Sequence, residues 1–409
     1  MKGIILCGGK GKEMMPISAK TPKSNIILQG IPIVQHIING LQTTGITEII
    51  VVVSDSGEPI VKYLKKIDSN LKFTIINQMS PGVEGAILSV KDEIKDSHFF
   101  LAHGDIIAPS RFYKQLMRTF KSGGDGAIAI TLKSSISDFG VIQLDNTGYV
   151  SEVIEHPGED KTDIGNYIGA GAYIFPKSFF KHIKSDSKNS FDKAINELIR
   201  SGIIINASIF SEESLWMDLG NPYDLITANR ILFSQYFETR ISKLANISPS
   251  AQIEGPVVIE SGVKIEHGAV IKGPVYIGKN VYIGTNSLIR DYTSIEEGCT
   301  IGYCVEITRS HFQPYSNIGR LSFVGDSIVG DHTSIKSGVT IINELPDDTY
   351  LDIRGSIFNK AGVIIGPDIK IGANGVLEPV SVIEKNTLPG TVIKDQKHKK
   401  INQILKTRK

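Results

Sequence analysis

The chain has 409 residues and nearly balanced charge, with 44 lysines and arginines against 43 aspartates and glutamates. A net charge of only +1 argues against a general nucleic-acid-binding or membrane-binding surface. With only three cysteines, the chain is predicted to have no disulfides. No apolar run approaches the ~20 residues that a membrane-spanning helix needs, and the first strand begins at residue 2, so no signal peptide is expected. Together these features predict a cytoplasmic protein.

The first domain is predicted over residues 1–229, where strand-like and helix-like segments alternate. The runs dense in Ile, Val and Phe are KGIILC, EIIVVVS, FTIINQ, HFFLAHGD and DGAIAITL. Between them, segments such as PIVQHIINGLQTTG and PIVKYLKKI carry apolar residues at the three-to-four spacing of a helix. This alternation predicts an α/β, Rossmann-like domain with a mostly parallel sheet. Ligands on such sheets gather at the carboxyl ends of strands, where the glycine turn after KGIILC and the aspartate of HGD lie.

The second domain follows a different period. Isoleucine recurs every six residues from Ile253 to Ile307, at ten positions without an exception, and the period returns loosely between Val329 and Ile383. Hexapeptide repeats of this kind predict a left-handed parallel β-helix over residues 248–395, with three hexapeptides in each coil and the isoleucines in the core. Residues 230–247 are predicted as a linker helix. Residues 396–409 are predicted as a solvated basic tail, with a docking site as the alternative.

Several motifs occur in a fixed order along the first domain. The first motif is LCGGKGKEMMPIS, which begins at Leu6. PK follows at residues 22–23, GD follows the fourth strand at residues 104–105, and WMDLG is last at residues 216–220. The segments FGV, EHP and GAGAYIF lie between the last two. In this order the motifs resemble those of the sugar-1-phosphate nucleotidyltransferases, which join a nucleoside triphosphate to a sugar 1-phosphate and release pyrophosphate. The resemblance extends over the whole first domain.

The resemblance implies a role for each matching residue. The implied nucleotide site consists of Leu6, Gly8, Gly9, Gly11, Lys23, Gln78 and Gly82. Glycines let backbone N–H groups approach the triphosphate, and Lys23, an implied catalytic residue, brings a positive charge to the phosphates. Asp105 and Asp218 are the implied ligands of one Mg²⁺, because hard carboxylate oxygens suit that ion. The implied partners are a nucleoside triphosphate and a sugar 1-phosphate.

The implied sugar pocket consists of Gly140, Glu155, His156 and Gly169. Two of these residues depart from the family. His156 replaces the lysine that holds the sugar phosphate, and a histidine is mostly neutral at pH 7. Gly169 replaces an asparagine that contacts the sugar. These changes are expected to alter sugar specificity or to abolish catalysis.

A third departure lies in the glycine turn, where Glu13 occupies the position of the family's catalytic arginine. A glutamate facing the phosphates would remove several kcal/mol of binding, since one unit charge at ~4 Å contributes about 4 kcal/mol at an effective dielectric of ~20. Two alternatives remain open. Glu13 complements the positive N-terminal end of the helix that follows, or Lys10 or Lys12 replaces the lost cation.

The two domains together resemble the archaeal and bacterial bifunctional enzymes that acetylate an amino-sugar phosphate and then uridylylate it. In the matching stretch, residues 317–343, Arg320 stands where the family has a general-base histidine. An arginine cannot accept a proton at neutral pH, so acetyltransferase activity is predicted to be absent. His311 and His332 lie nearby in sequence and are expected to be solvated. The solenoid is expected to form a homotrimer.

Two functional hypotheses therefore stand side by side. In the first, the protein is a Mg²⁺-dependent sugar-1-phosphate nucleotidyltransferase that uses UTP or dTTP. In the second, it is a catalytically silent homologue that binds a nucleotide or sugar nucleotide and acts as a regulatory or structural subunit. The retained motifs favour the first hypothesis, and the changes at Glu13, His156 and Gly169 favour the second.

Overall fold

The computed structural model describes residues 1–67, 70–133, 139–155, 165–184, 190–234, 238–353, 356–394 and 405–407. The chain divides into two compact units. The first unit, called the α/β unit, consists of Met1–Gly11, Thr21–Asn25 and Ile33–Asp218. The second, called the solenoid unit, consists of Lys12–Lys20, Ile26–Pro32 and Leu219–Lys409.

The α/β unit is built on a sheet whose parallel part carries the glycine turn. Its first strand, Lys2–Cys7, lies between His98–His103 and Glu48–Val53, and Lys72–Asn77 follows at the edge. These strands are parallel. Lys2–Cys7, Glu48–Val53 and His98–His103 are mostly apolar and buried, as expected for strands covered on both faces, whereas the edge strand Lys72–Asn77 has no buried residue. The five predicted strands and both predicted helices are confirmed.

The remainder of the sheet is antiparallel or mixed, so the expectation of a mostly parallel sheet holds only for one side. Tyr167–Pro176 runs antiparallel to His98–His103 and also pairs with Gly126–Leu132. The other strands of this unit are Val141–Leu144, Val150–Ile154, Ile205–Phe210 and the short pair Ile106–Ile107 and Met217–Asp218. Its α-helices are Ile33–Gln42, Glu58–Leu64, Val83–Leu88, Ser110–Lys121 and Ser190–Arg200.

The solenoid unit has the architecture of a left-handed parallel β-helix, with three stacked parallel sheets. The first sheet contains Arg240–Ile241, Val257–Ile259, Val275–Ile277, Thr293–Ile295, His311–Phe312, Ile328–Val329, Ile364–Ile365 and Val382–Ile383. The second contains Asn246–Ile247, Lys264–Ile265, Tyr282–Ile283, Thr300–Ile301, Asn317–Ile318, Ser334–Ile335 and Lys370–Ile371. The third contains Gln252–Glu254, Val270–Lys272, Leu288–Arg290, Glu306–Thr308, Phe323–Gly325, Thr340–Ile341, Val376–Leu377 and Val392–Ile393.

The six-residue repeat forms the core of this solenoid, as predicted. Ile277 pairs with Ile295, eighteen residues later, and both side chains are completely buried. The period is interrupted because the next coil is one residue shorter, so that Phe312 stacks on Ile295. A second interruption is an inserted hairpin, Thr349–Ile353 and Ser356–Phe358, which lies outside the three sheets.

The junction between the predicted domains differs from the expected linker helix of residues 230–247. The helix is Asp224–Phe233, and Arg240–Ile241 and Asn246–Ile247 are already the first strands of two solenoid sheets. The reason is visible in the sequence, because Ile241 and Ile247 continue the six-residue period towards the N-terminus. Most of the predicted basic tail, residues 396–409, lies outside the described residues. Its segment Leu405–Thr407 pairs antiparallel with Thr349–Ile353.

Candidate active site

The glycine turn begins where the strand Lys2–Cys7 ends. Gly8 is buried, and a Cβ atom at this position would collide with the carboxamide of Gln78. Gln78 follows the edge strand, and its backbone N–H donates a hydrogen bond to the carbonyl of Val53 at 2.8 Å. The glycine therefore allows Gln78 to reach across the ends of the parallel strands. Gly11, with φ of +59°, supplies the left-handed conformation that the turn requires.

The other residues implied in the nucleotide site are Leu6 and Gly9, next to the same turn, and Gly82, four residues after Gln78. Leu6 is half-buried and pairs with Val52 on one side and His103 on the other. Gly9 is exposed and has open space around its α-carbon. Gly82 has φ of +101° and immediately precedes the helix Val83–Leu88.

Lys23 and Asp105 form an ion pair at the centre of this region. Lys23 lies in a short helical turn, Lys23–Asn25, and its Nζ is 2.9 Å from Oδ2 of Asp105. The Lys23 side chain is only 8% exposed, and that of Asp105 is 28% exposed. Gly104 brings the aspartate here, because its N–H donates to the carbonyl of Leu6 at 2.9 Å and a Cβ atom would collide with that carbonyl.

The second oxygen of Asp105, Oδ1, is buried and has no hydrogen-bond partner among the described residues. A buried carboxylate oxygen without a partner is costly unless a ligand completes it. Asp218 lies close by in the backbone, since it pairs with Ile106, the residue after Asp105. Two carboxylates and the phosphate oxygens of a substrate are a donor set that suits Mg²⁺. No cluster of three or more His, Cys, Asp or Glu side chains suited to a metal occurs in the described part of the chain.

Three residues of the implied sugar pocket lie beside one another in the backbone of three neighbouring strands. Val141 pairs with Ile168 in one direction and with Ile154 in the other. Gly140, Gly169 and Glu155, which are the chain neighbours of Val141, Ile168 and Ile154, are therefore brought together. The N–H of Gly169 donates to the carbonyl of Gly140 at 3.0 Å. His156, the fourth residue of the implied pocket, lies outside the described residues.

Two side chains near Asp105 were not predicted as site residues. Tyr173 is buried, and burial raises the pKa of its hydroxyl, with further contributions from the carboxylates of Asp192, Asp105 and Asp218. The ring of His103 lies 5.7 Å from that of Tyr173, and its Nε2 is buried without a hydrogen-bond partner in the described chain. The alternation of strand residues could have indicated His103, two positions before Asp105. Tyr173 resembles an ordinary core aromatic in sequence.

Glu13 lies in the short helical turn Lys12–Met14, which belongs to the solenoid unit. The Met14 side chain is completely buried and holds the turn in place, whereas Glu13 is exposed. Water therefore screens the charge of Glu13 far more than that of the largely buried Lys23.

The implied acetyltransferase position also faces solvent. Arg320 is exposed, and its guanidinium lies over the ring of Tyr303 at 5.6 Å. His332 is exposed as expected and stacks on Tyr315, with ring centroids 5.1 Å apart.

The expectation of a solvated His311 is wrong, because this side chain is completely buried. Its Nδ1 is 3.0 Å from the Asn229 amide nitrogen, and its Nε2 lies 3.1 Å from the carbonyl of Ile27. These groups of the solenoid unit cover the strand face that a bare solenoid would leave to water. Burial lowers the pKa of His311 to about 4. Both ring nitrogens have hydrogen-bond partners and the ring is inaccessible to solvent, so His311 is unsuited to act as a general base.

Comparison with protein families agrees with this geometry. A profile of the family described as "Nucleotidyl transferase" matches residues 2–235, and one described as "GMPPB C-terminal domain" matches residues 271–397. A "Bifunctional protein GlmU" of Methanocaldococcus jannaschii is 32% identical over 386 residues, which cover 91% of this chain and 89% of that protein. No helix in the described residues is long and apolar enough to cross a membrane.

Other relatives carry different names. A "Bifunctional sugar-1-phosphate nucleotidylyltransferase/acetyltransferase" of Sulfurisphaera tokodaii is 29% identical, with 96% of this chain and 100% of that protein covered. A "Probable mannose-1-phosphate guanylyltransferase 3" of Oryza sativa subsp. japonica is 26% identical, with 89% and 96% covered. A solved UDP-glucose pyrophosphorylase with UDP-glucose is 19% identical at a TM-score of 0.52, and it covers 57% of this chain and 98% of its own. That likeness shows the fold.

Proposed function

Because this chain belongs to the nucleotidyl transferase family, we propose that its α/β unit transfers a nucleoside monophosphate from UTP or dTTP to a sugar 1-phosphate. The observation that carries this proposal is the Lys23–Asp105 pair, which places a largely buried cation beside a carboxylate with one unpartnered oxygen, at the strand ends where the glycine turn also lies. A charge pair of this kind is costly to bury without further ligands.

The proposed reaction is a displacement at the α-phosphorus of the nucleoside triphosphate. A phosphate oxygen of the sugar 1-phosphate forms the new P–O bond, and the bond to the β-phosphate breaks so that pyrophosphate leaves. The substrate supplies the nucleophile, so the protein positions the two substrates and stabilises charge. Lys23 would contact a phosphate oxygen, and N–H groups of the turn around Gly8, Gly9 and Gly11 would contact the others.

Asp105 and Asp218 are the residues that would hold Mg²⁺ in this proposal. Their neighbouring backbone positions and the unpartnered Oδ1 of Asp105 support the assignment. When bound, the ion would neutralise negative charge on the phosphates. Asp105 has a second role, since its Oδ2 orients Lys23 through the 2.9 Å contact.

A second choice of substrates, GTP with mannose 1-phosphate, is favoured by one set of relatives. Two rice proteins are named "Probable mannose-1-phosphate guanylyltransferase" 2 and 3, and residues 271–397 match a GMPPB C-terminal domain. Gln78 and Gly82 are the residues that the resemblance assigns to reading the base, and a carboxamide can pair with the edge of any base. The test is therefore a panel in which UTP, dTTP and GTP are each combined with glucose 1-phosphate, N-acetylglucosamine 1-phosphate and mannose 1-phosphate. Mass spectrometry would identify the nucleotide sugar formed.

The solenoid is proposed to assemble a cytoplasmic homotrimer without acetyltransferase activity. Exposed Arg320 and occupied, buried His311 support the absence of acetyl transfer, although some relatives are named as acetyltransferases. Incubation with acetyl-CoA and glucosamine 1-phosphate should release no free coenzyme A. Sedimentation equilibrium should give the mass of three 44.6 kDa chains at micromolar concentration, and the mass of one chain would contradict the trimer.

The rival proposal is a silent homologue that binds a nucleotide or sugar nucleotide and regulates a partner. The replacements at Glu13, His156 and Gly169 support it. The two proposals differ in the substrate panel, because a silent homologue would bind a ligand without releasing pyrophosphate in any of the nine combinations.

A further inference from the structure

Along the chain, the segments around Lys23 belong alternately to the two units. Thr21–Asn25 belongs to the α/β unit, whereas the segments before and after it, Lys12–Lys20 and Ile26–Pro32, belong to the solenoid unit. Lys23 therefore lies in a short connection, and the segments at both of its ends belong to the solenoid unit. The contacts of those ends determine where the connection can lie.

The segment after Lys23 is a tight hairpin. Its strands are Ile27–Leu28 and Ile31–Pro32, and the two turn residues, Gln29 and Gly30, have φ of 50° and 84°. Positive φ at both positions is typical of a type I′ turn. A residue with a Cβ atom at position 30 would be strained at this φ and would have to displace the hydroxyl of Tyr276.

Glu296 of the solenoid binds the tip of this hairpin. Its Oε1 accepts the N–H of Gln29 at 2.8 Å, and its Oε2 accepts the N–H of Gly30 at 2.8 Å. The side chain is completely buried, and Ser294 donates a further bond to Oε1 at 2.8 Å. Hydrogen bonds to a buried carboxyl group are costly to break, because the groups left without a partner cannot reach water.

Gln313 holds the start of the same hairpin. Its Nε2 donates to the carbonyl of Ile27 at 2.7 Å, and its Oε1 accepts the N–H of Ile27 at 3.2 Å. One buried carboxamide thus replaces both partners that a neighbouring strand would offer. Four N–H or C=O groups of the hairpin are satisfied by Glu296 and Gln313.

The segment before Lys23 is held at another coil of the solenoid. Lys20 forms an ion pair with Asp368, and a Cβ atom at Gly366 would lie 3.1 Å from the Pro16 side chain. Only six residues separate Lys20 from the Gln313 contact at Ile27. A chain of that length fixed at both ends has little freedom to move.

We propose that Glu296 and Gln313 are positioning residues for nucleotidyl transfer, which act through Lys23 by fixing the connection that carries it. The inference rests on the function proposed above. The proposal gives a role to Glu296 and Gln313, two buried polar side chains of the solenoid that bind the hairpin Ile27–Pro32.

The test is a double-mutant cycle on the full-length protein. We expect Glu296→Ala to lower kcat for nucleotidyl transfer at least tenfold, and Glu296→Gln, which keeps one acceptor, to recover part of that loss. In a protein that already carries Lys23→Met, adding Glu296→Ala should lower kcat by less than a further threefold, because the effects of residues that act as a unit are not additive. If Glu296→Ala acted only through a general loss of folding, it would lower kcat by the same factor in the native and the Lys23→Met proteins. That result would overturn the proposal.

A matched control separates positioning from stability. Asn343→Leu removes another buried solenoid carboxamide, which donates to Asp326 at 2.6 Å on a different corner of the coil. It should lower the melting temperature as Gln313→Leu does and leave kcat within threefold of the native protein. An equal loss of kcat in both variants would contradict a specific role of Gln313.

Hydrogen–deuterium exchange distinguishes failure of this inference from failure of the proposed function. Glu296→Ala and Gln313→Leu should each speed amide exchange at least tenfold in residues 21–32, whereas Asn343→Leu should not. If the native protein has no transferase activity but exchange responds in this way, the proposed function fails and the anchoring stands. Unchanged exchange in residues 21–32 would overturn the anchoring itself.

Discussion

The Nζ of Lys23 lies 2.9 Å from Oδ2 of Asp105, and the lysine side chain is almost completely buried. The two residues come from distant motifs, one after the glycine turn and one after the strand His98–His103. The pairing gives each charge a partner and leaves Oδ1 of Asp105 for a further ligand. This arrangement is the core of the proposed active site, and most of the expected effects of substitution follow from it.

Replacing Lys23 by methionine should lower kcat/KM for pyrophosphate release by about a hundredfold or more. The change removes a preorganised cation from the phosphates, and losing one such contact typically costs about 3 kcal/mol in the transition state. It also leaves Asp105 without its cation. The control is Lys66→Met, which alters an exposed lysine after the helix Glu58–Leu64. Similar losses in the two variants would show that Lys23 has no special role.

Two glycine substitutions should separate the nucleotide site from the sugar pocket. A Cβ atom at Gly8 would displace the carboxamide of Gln78, so Gly8→Ala should raise the KM for the nucleoside triphosphate at least tenfold. A Cβ atom at Gly169 would lie 3.6 Å from the Tyr173 hydroxyl, an ordinary contact. Gly169→Ala should therefore fold normally and change mainly the KM for the sugar phosphate. Steady-state kinetics with each substrate varied in turn measures both effects, and the reverse pattern would contradict the assignment.

Glu13→Arg should change triphosphate affinity by less than about tenfold, or ~1.4 kcal/mol. Glu13 is exposed, so water and salt screen its charge. The measurement is calorimetric titration of UTP and dTTP with Mg²⁺ into the native protein and the variant. Tightening by one or more decades would show that Glu13 repels the phosphates, as the silent-homologue hypothesis requires.

The sequence predicted the architecture well because its periods are physical requirements of the fold. Six-residue spacing places Ile277, Ile283 and Ile289 inside successive sides of one coil, and all three are completely buried. The order of the glycine turn, PK and GD likewise predicted a shared site, and the structure pairs Lys23 with Asp105. These signals are local, and each can be seen within a few residues.

The remaining features depend on contacts between segments far apart in the chain. Nothing near His311 predicts that Ile27, 284 residues away, will cover it. Nor does the local sequence show that Glu296 will bind the Gln29–Gly30 turn, since a glutamate at a solenoid corner ordinarily faces water. For the same reason the local sequence does not show that Lys12–Lys20 belongs to the solenoid unit, whereas Met1–Gly11 and Thr21–Asn25 belong to the α/β unit.

The buried groups around the hairpin should make the stability of the solenoid unit depend on pH. Burial raises the pKa of Glu296 from 4.5 to about 7, so the folded state keeps a proton that the unfolded chain has released. The free energy of unfolding therefore falls as pH rises through this range. His311 acts oppositely, because burial lowers its pKa from 6.5 to about 4, and stability falls as pH drops through that interval.

Glu296→Gln isolates the first of these effects. The variant has no carboxyl group to titrate, so its melting temperature relative to the native protein should rise by several degrees between about pH 5 and about pH 8. The expected change in relative stability is on the order of 2 to 3 kcal/mol. Thermal melts of both proteins in matched buffers measure it. A constant difference across this range would show that Glu296 has an ordinary pKa.

The most direct test of the account is a comparison of pyrophosphate release by the native protein and by Asp105→Asn, with Mg²⁺ and the best substrate pair from the panel. The substitution keeps the shape of the side chain but removes the charge that pairs with Lys23 and would hold the ion. We predict measurable turnover by the native protein and a loss of at least a hundredfold in the variant. Equal turnover in the two proteins, or none by the native protein with any pair, would contradict the proposed nucleotidyl transfer at this site.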